Sequence, residues 1–150
     1  MMMSKEQFCA ENYRRFFNRS HCLHVQSCIK ESGQLLTLRF QIAPKRDGKV
    51  DFTNSPIFQL SAKELTSLCR FLIVRSNSVY EIPFHNGKTL KFTAEQSKGL
   101  NVQIIQKGNI ASFMIPTDEL FSLTGIAVST LARREMLDSI TVLTMIKNGL

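Results

Sequence analysis

The chain has 150 residues, of which 43% are hydrophobic and 21% charged. A chain of this length can bury a core without disulfides or a structural metal, and its composition excludes a disordered polymer. Nineteen Lys and Arg against twelve Asp and Glu give a formal net charge of +7; such an excess attracts polyanions, nucleic acid first and an anionic membrane next, or else serves only solubility.

No window reaches the ~18 apolar residues of a membrane span, so no membrane partner is expected. The stretch from Met1 to Arg15 has no apolar signal core, and its Glu6 and Glu11 are of a type that transit peptides avoid. The expectation is a cytoplasmic protein, or a nucleoplasmic one in a eukaryotic source. Cys9, Cys22, Cys28 and Cys69 form no C-x-x-C pair and read as reduced thiols. His21, Cys22, His24 and Cys28 lie close together, but their spacing matches no standard zinc pattern. Alternation from His24 sets His24 and Cys28 on one strand face and leaves the other two in a turn. Neither a metal nor a cofactor is expected.

Ser4 to Gln7 reads as a capping box, and Phe8, Cys9, Tyr13, Phe16 and Phe17 follow at helical spacing. An amphipathic helix is predicted over roughly 5–18. The period then changes to two. A strand is predicted over 24–31, and Leu36, Leu38, Phe40 and Ile42 alternate with Thr37, Arg39 and Gln41 in the next. The basic turn of Lys45, Arg46 and Lys49 leads to short extended pieces at 50–52 and 57–60. Ser61-Ala62-Lys63-Glu64 is a second capping box, and Leu65, Leu68, Phe71 and Leu72 give a helical stripe that ends near Arg75.

The second half repeats this order. A strand over 79–84 precedes Asn86-Gly87, a tight-hairpin signal. Strands follow over 88–95, from Leu100 through Ile104, and over 110–115, separated by turns at Lys98-Gly99 and Gly108-Asn109. Thr117 is placed as the cap of a helix carrying Leu120, Leu123, Ala127 and Leu131. A further helical piece bears Leu137, Ile140, Leu143 and Ile146.

A shift of 55 residues superimposes the two strand-to-helix junctions: Phe58 on Phe113, Leu60 on Ile115, Glu64 on Glu119, Leu65 on Leu120 and Leu68 on Leu123. The expected fold class is α+β, with two tandem antiparallel four-stranded-sheet-plus-helix units in one domain. An N-terminal helix within 1–20 precedes units at 21–76 and 77–135, and a helical tail occupies 136–150. Each sheet is expected to bury one face and leave the other polar and open, with Thr37, Arg39 and Gln41 on the first open face and Lys91, Thr93, Asn101 and Gln103 on the second.

The segment from Phe58 to Leu68, FQLSAKELTSL, resembles the strand-to-helix junction of the eukaryotic coactivator called positive cofactor four, and the segment from Phe113 to Leu123, FMIPTDELFSL, is similar. In that family a four-stranded meander precedes one helix, and two such units build the DNA-binding body. The plant Whirly proteins and the trypanosome guide-RNA-binding proteins carry both units in one chain, and the layout over 24–133 is similar to that tandem form. The resemblance implies binding of single-stranded nucleic acid on sheet surfaces with little sequence preference. It also implies an oligomer, a tetramer in Whirly proteins. A Lys-Gly-Lys-Ala-Ala-Leu stretch associated with Whirly proteins is absent.

Single-strand binders need cations for phosphates and flat side chains for bases. The candidate nucleic-acid-binding residues are Arg39, Gln41, Lys45, Arg46, Lys49, His85, Lys88, Lys91, Lys98 and Lys107. Alternation sets Phe84 and Phe92 toward the core, with Tyr80 in the same parity, and leaves His85 as the exposed ring. The sequence has no Gly-rich phosphate loop, nucleophile elbow or H-E-x-x-H, and Asp118-Glu119 sits where carboxylates stabilise a helix start. The reading is a non-enzyme that binds single-stranded DNA or RNA, DNA by preference, as a homodimer or homotetramer. The alternative is a protein–protein adaptor of a secretion or conjugation system.

Overall fold

Period-two alternation governs most of the chain, and in the structure, a computed structural model, it produces two antiparallel sheets. The structure describes residues 12–30 and 35–150, with the side chains of Lys30 and Phe84 outside that description. Sheet 1 contains β1 (Tyr13–Phe17), β2 (His21–Lys30) and β3 (Leu35–Arg46), with β4 (Lys49–Val50) and β5 (Ile57–Gln59) both paired to β3. Helix α1 (Ala62–Val74) follows. Sheet 2 is the meander β6 (Val79–His85), β7 (Lys88–Glu95), β8 (Gly99–Gln106) and β9 (Asn109–Pro116). A 3₁₀ turn at Thr117–Glu119 leads into α2 (Leu120–Glu135), and α3 (Ser139–Lys147) ends the order. The expected α+β class with two sheet-plus-helix units is the observed one.

The expected N-terminal helix is not. Tyr13–Phe17 is an edge strand, paired residue for residue with β2 from Tyr13 opposite Gln26 to Phe17 opposite Cys22. Residues 5–11 lie outside the described residues, together with the first capping box, Phe8 and Cys9. Within 13–17, positions 13, 16 and 17 fit a helical stripe, but 13, 15 and 17 also fit a strand face. Tertiary pairing decides between them. As a strand, the segment satisfies the open edge of β2 and buries Phe16, 2% exposed, opposite Leu23. The segment therefore stands to unit one as β6 stands to unit two.

Two local expectations change at the residue level. The β8–β9 turn falls on Lys107-Gly108, one residue early, with φ of 47° and 81°; the pair Gln106–Asn109 closes a two-residue loop that needs both central residues left-handed. Asn86-Gly87 turns as expected, at 55° and 77°. Thr117 makes no capping hydrogen bond, because β9 runs through Pro116 and the chain enters α2 by way of the 3₁₀ turn. Gly99 is irreplaceable on steric grounds: its φ is 137°, and a Cβ there would collide with the carbonyl of Ile115 on β9. Ser61 caps α1 as expected, with Glu64 reaching back to the Ser61 N–H at 2.7 Å.

The core lies between the inner sheet faces and the helices. Phe40 of sheet 1 meets Phe92 of sheet 2 edge to face, with ring centroids 5.5 Å apart. α1 packs on β3 and lays Phe71 on Tyr80 and Phe92 of sheet 2, so it bridges the sheets, while α2 crosses to sheet 1 and lies along β1, β2 and β3. Arg134 ties α2 to the start of α1 through the Ala62 carbonyl at 2.6 Å and the Thr66 hydroxyl at 2.9 Å. This arrangement leaves the outer face of each sheet, among the described residues, without a helix packed on it. Among the described residues, no helix is long and apolar enough to cross a membrane.

Candidate nucleic-acid interface

The outer face of sheet 1 follows from strand register. Phe16, Leu23, Val25, Leu38, Phe40 and Ile42 are buried toward the core, so their neighbours Tyr13, Arg15, Phe17, Cys22, His24, Gln26, Arg39, Gln41 and Lys45 share the opposite side. The segment between β4 and β5 folds over part of this face and brings Phe52 to it. The result is a cluster of rings around a guanidinium. The His24 ring lies 5.4 Å from that of Tyr13 and 5.9 Å from that of Phe52. The Arg15 guanidinium sits 5.1 Å from the Tyr13 centroid and 5.5 Å from that of Phe52.

Hydrogen bonds set the protonation of this cluster. Arg15 Nε donates to His24 Nδ1 at 3.0 Å. Nδ1 is therefore an acceptor, and the ring proton belongs on Nε2, which faces Gln26 Oε1 at 3.3 Å. The same oxygen accepts from Arg39 Nη2 at 2.7 Å. Burial lowers the His24 pKa from its ordinary value; the Gln26 hydrogen bond opposes the shift, and the charges of Arg15 and Arg39 reinforce it. His24 thus stays neutral near pH 7, and the sign of the linkage follows. The unfolded chain takes up the proton first, so stability present above pH 6.5 is lost as the pH falls from there toward the lower folded value. Urea midpoints at pH 7.5 and 5.5 should show this loss in the wild type, and His24→Gln should reduce it.

Toward one end of the sheet the face becomes cationic. The Lys45 ammonium lies 5.3 Å from the Phe17 centroid. The β1–β2 turn carries Arg19, and the β3–β4 turn is flanked by Arg46 and Lys49; both turns lie at the same end, since Lys45 N–H donates to the Ser20 carbonyl at 2.8 Å. Arg46 pairs with Asp51 at 3.0 Å and remains 71% exposed. At this end Arg19, Lys45, Arg46 and Lys49 stand against the carboxylates of Asp47 and Asp51.

The ten sequence-derived candidates do not form one surface. Arg39, Lys45, Arg46 and Lys49 belong to sheet 1 as described. Gln41 is buried there, donating to Ser55 Oγ at 2.7 Å beneath the β4–β5 segment. Thr37 is buried as well, spent on the Leu60 carbonyl; the expected open polar face of unit one is therefore partly roofed. His85 and Lys88 lie in the seam between the units. The His85 ring packs 5.0 Å from Phe58 with Nε2 3.4 Å from Glu64 Oε1, and Lys88 Nζ donates to the Ile57 carbonyl at 2.8 Å. His85 is half-buried rather than an exposed ring. Phe92 is buried and Tyr80 half-buried. Lys91 lies on the outer face of sheet 2 between Glu81 and Gln103, and Lys98 and Lys107 occupy turns at opposite ends of that sheet.

Tyr13, Arg15, Phe17, His24 and Phe52 were missed because the first three were assigned to a helix. The alternation Tyr-Arg-Phe at 13, 15 and 17 was the available signal. Nothing in the sequence foretells Phe52, whose placement depends on a loop folding back. Cys22 lies on the His24 face rather than in a turn, because β2 begins at His21; burial raises its pKa, and that of Cys69 is pushed up to about 12. Among the described residues no group of His, Cys, Asp or Glu could hold a metal ion.

Two antiparallel sheets, each followed by a helix, define a Whirly-like fold. The chain is similar in structure to WHY3 from Arabidopsis thaliana, with a TM-score of 0.60 at 18% identity over 90% of this chain and 94% of that one. It is similar to WHY1 from the same plant, with a TM-score of 0.56 at 19% identity, covering 81% and 89% of the two chains. Similarity also extends to the plant transcriptional regulator PBF-2, with a TM-score of 0.59 at 16% identity, covering 83% and 82%. No protein-family model matches the sequence, and no curated protein matches it.

Proposed function

We propose that this protein binds single-stranded nucleic acid, DNA in the first instance, with weak sequence preference and without catalysing a reaction. The observation that carries the reading is the continuity of the Tyr13–Arg15–His24–Phe52 cluster with the cationic end at Arg19, Lys45, Arg46 and Lys49. Flat groups receive unpaired bases, and adjacent cations receive the phosphates. The likeness to Whirly proteins supports the same reading. Bases inside a duplex are already stacked and present only their edges to the grooves, and the described face has no projecting helix or ribbon to enter one.

The test is a salt titration of a short single strand. If four phosphates are neutralised, log affinity should fall against log salt with a slope of about −3, from roughly −0.7 per contact. Joint replacement of Lys45, Arg46 and Lys49 by Ala should flatten that slope and leave the urea midpoint unchanged. Equal affinity for duplex and single strand, or no binding at moderate salt, would return the reading to a protein–protein adaptor.

The protein is also proposed to act as a homo-oligomer. Met136 is 91% exposed at the junction of α2 and α3 and Ile140 77% exposed at the start of α3, while Phe121, 87% exposed, lies at the other end of α2. Apolar side chains exposed to that degree on neighbouring helices mark a surface that a second copy can cover. Light scattering should give a mass at least twice 17.1 kDa; a monomer mass at micromolar concentration would reject the assembly.

A further inference from the structure

Within the ring cluster, Arg15 has an arrangement suited to reading a base as well as to neutralising charge. Its Nε is committed to His24 Nδ1, so a side-on fork using Nε and one terminal nitrogen is no longer available. Both terminal nitrogens remain, and among the described residues neither makes a hydrogen bond. Their plane is held by the His24 bond and by the Tyr13 and Phe52 rings, and Arg15 is exposed. An end-on guanidinium fork matches two acceptors side by side, which guanine offers at O6 and N7 and a phosphate offers with two of its oxygens. Position separates these sources. The guanidinium lies beside the Tyr13 and Phe52 rings, so a group held by its terminal nitrogens comes next to aromatic surface, which suits a base better than a phosphate. The cations at Arg19, Lys45, Arg46 and Lys49 supply the phosphate sites next to it.

We infer that Arg15 is a specificity-determining residue that selects guanine at one position of the bound single strand, an inference that rests on the single-strand reading of this face. His24 acts as its positioning residue by fixing Nε. Such a contact confers a preference at one nucleotide and leaves the remaining positions sequence-tolerant.

The experiment measures binding of nine-nucleotide oligothymidylates that carry one central guanine, hypoxanthine, adenine or 7-deazaguanine. Guanine and hypoxanthine, which keep O6 and N7, should bind roughly tenfold more tightly than adenine, in line with the discrimination of one bidentate pair. The 7-deazaguanine probe, which lacks the N7 acceptor, should lose most of that advantage. Arg15→Lys keeps the charge and loses the planar fork, so it should bind all four probes alike. Equal wild-type affinity for all four, with a uniform loss in Arg15→Lys, would overturn the inference and assign the guanidinium to a phosphate. The comparison among probes on the wild-type protein holds whatever the variant does to the fold. Failure of the wild type to bind any of the four at low salt would instead overturn the single-strand reading itself.

Discussion

Replacing Phe40 by Ala should cost about 3–5 kcal/mol of folding stability, the usual penalty for deleting a buried aromatic ring. Phe40 is fully buried, and its ring meets Phe92 edge to face across the two sheets. Neither neighbouring sheet can close the gap easily, because the ladders on both sides of β3, to β2 and to β5, hold it in place. Domains of this size have total stabilities of about 5–15 kcal/mol, so the variant should sit close to its unfolding threshold. Urea denaturation should show a large fall in midpoint with little change in slope. In a double-mutant cycle, Phe40→Ala and Phe92→Ala should together cost less than the sum of their separate effects, since the shared contact is lost in either variant. Additivity within error would mean that the two sheets do not couple through these rings.

Joint replacement of Tyr13 and Phe52 by Ala should weaken single-strand binding on the order of a hundredfold, taking ~1–3 kcal/mol for each stacked base. Tyr13 is 40% exposed on an edge strand and Phe52 is half-buried in a loop, so neither belongs to the main core. The urea midpoint should therefore move far less than in Phe40→Ala. Because these rings carry no charge, the salt slope should stay close to that of the wild type. This separates them from the Lys45, Arg46 and Lys49 variant, which should change the slope. Lys98→Ala and Lys107→Ala, in turns of the other sheet, serve as controls and should alter binding little. An unchanged affinity in the Tyr13 and Phe52 variant would remove the ring platform from the account and leave a purely electrostatic one.

The helix-versus-strand question at 13–17 shows how a site can be hidden. Tyr13, Phe16 and Phe17 satisfy a 3.6-residue period about as well as Tyr13, Arg15 and Phe17 satisfy a period of two. Five residues are too few to separate the periods. Backbone pairing with β2 decides the matter, and the partner residues lie from Cys22 to Gln26. Once the segment is a strand, Arg15 and Tyr13 stand beside His24, and the ring cluster exists. A helix over 13–17 would instead turn Tyr13 toward a packing stripe and leave Arg15 without His24 beside it.

Much else was determined by the sequence itself. Period-two runs specified β2, β3 and β6–β9, the Asn86-Gly87 pair specified its hairpin, and the Ser61–Glu64 box specified where α1 starts. These are local choices, in which side-chain parity, left-handed φ and end-capping are resolved within a few residues. The tandem order of two sheet-plus-helix units followed from them, as did the net positive charge. Tertiary structure decided what depends on contact between distant residues. It laid α2 across sheet 1, covered Gln41 with the β4–β5 segment and Thr37 with Leu60 beyond β5, and drew His85 and Lys88 into the seam between units. It also divided ten candidate residues among separate surfaces and concentrated rings and cations on sheet 1. A cation's place in the sequence shows that charge is available, but the groups beside it, an opposing carboxylate, a carbonyl or an aromatic ring, determine whether that charge is spent inside the fold or offered to a ligand.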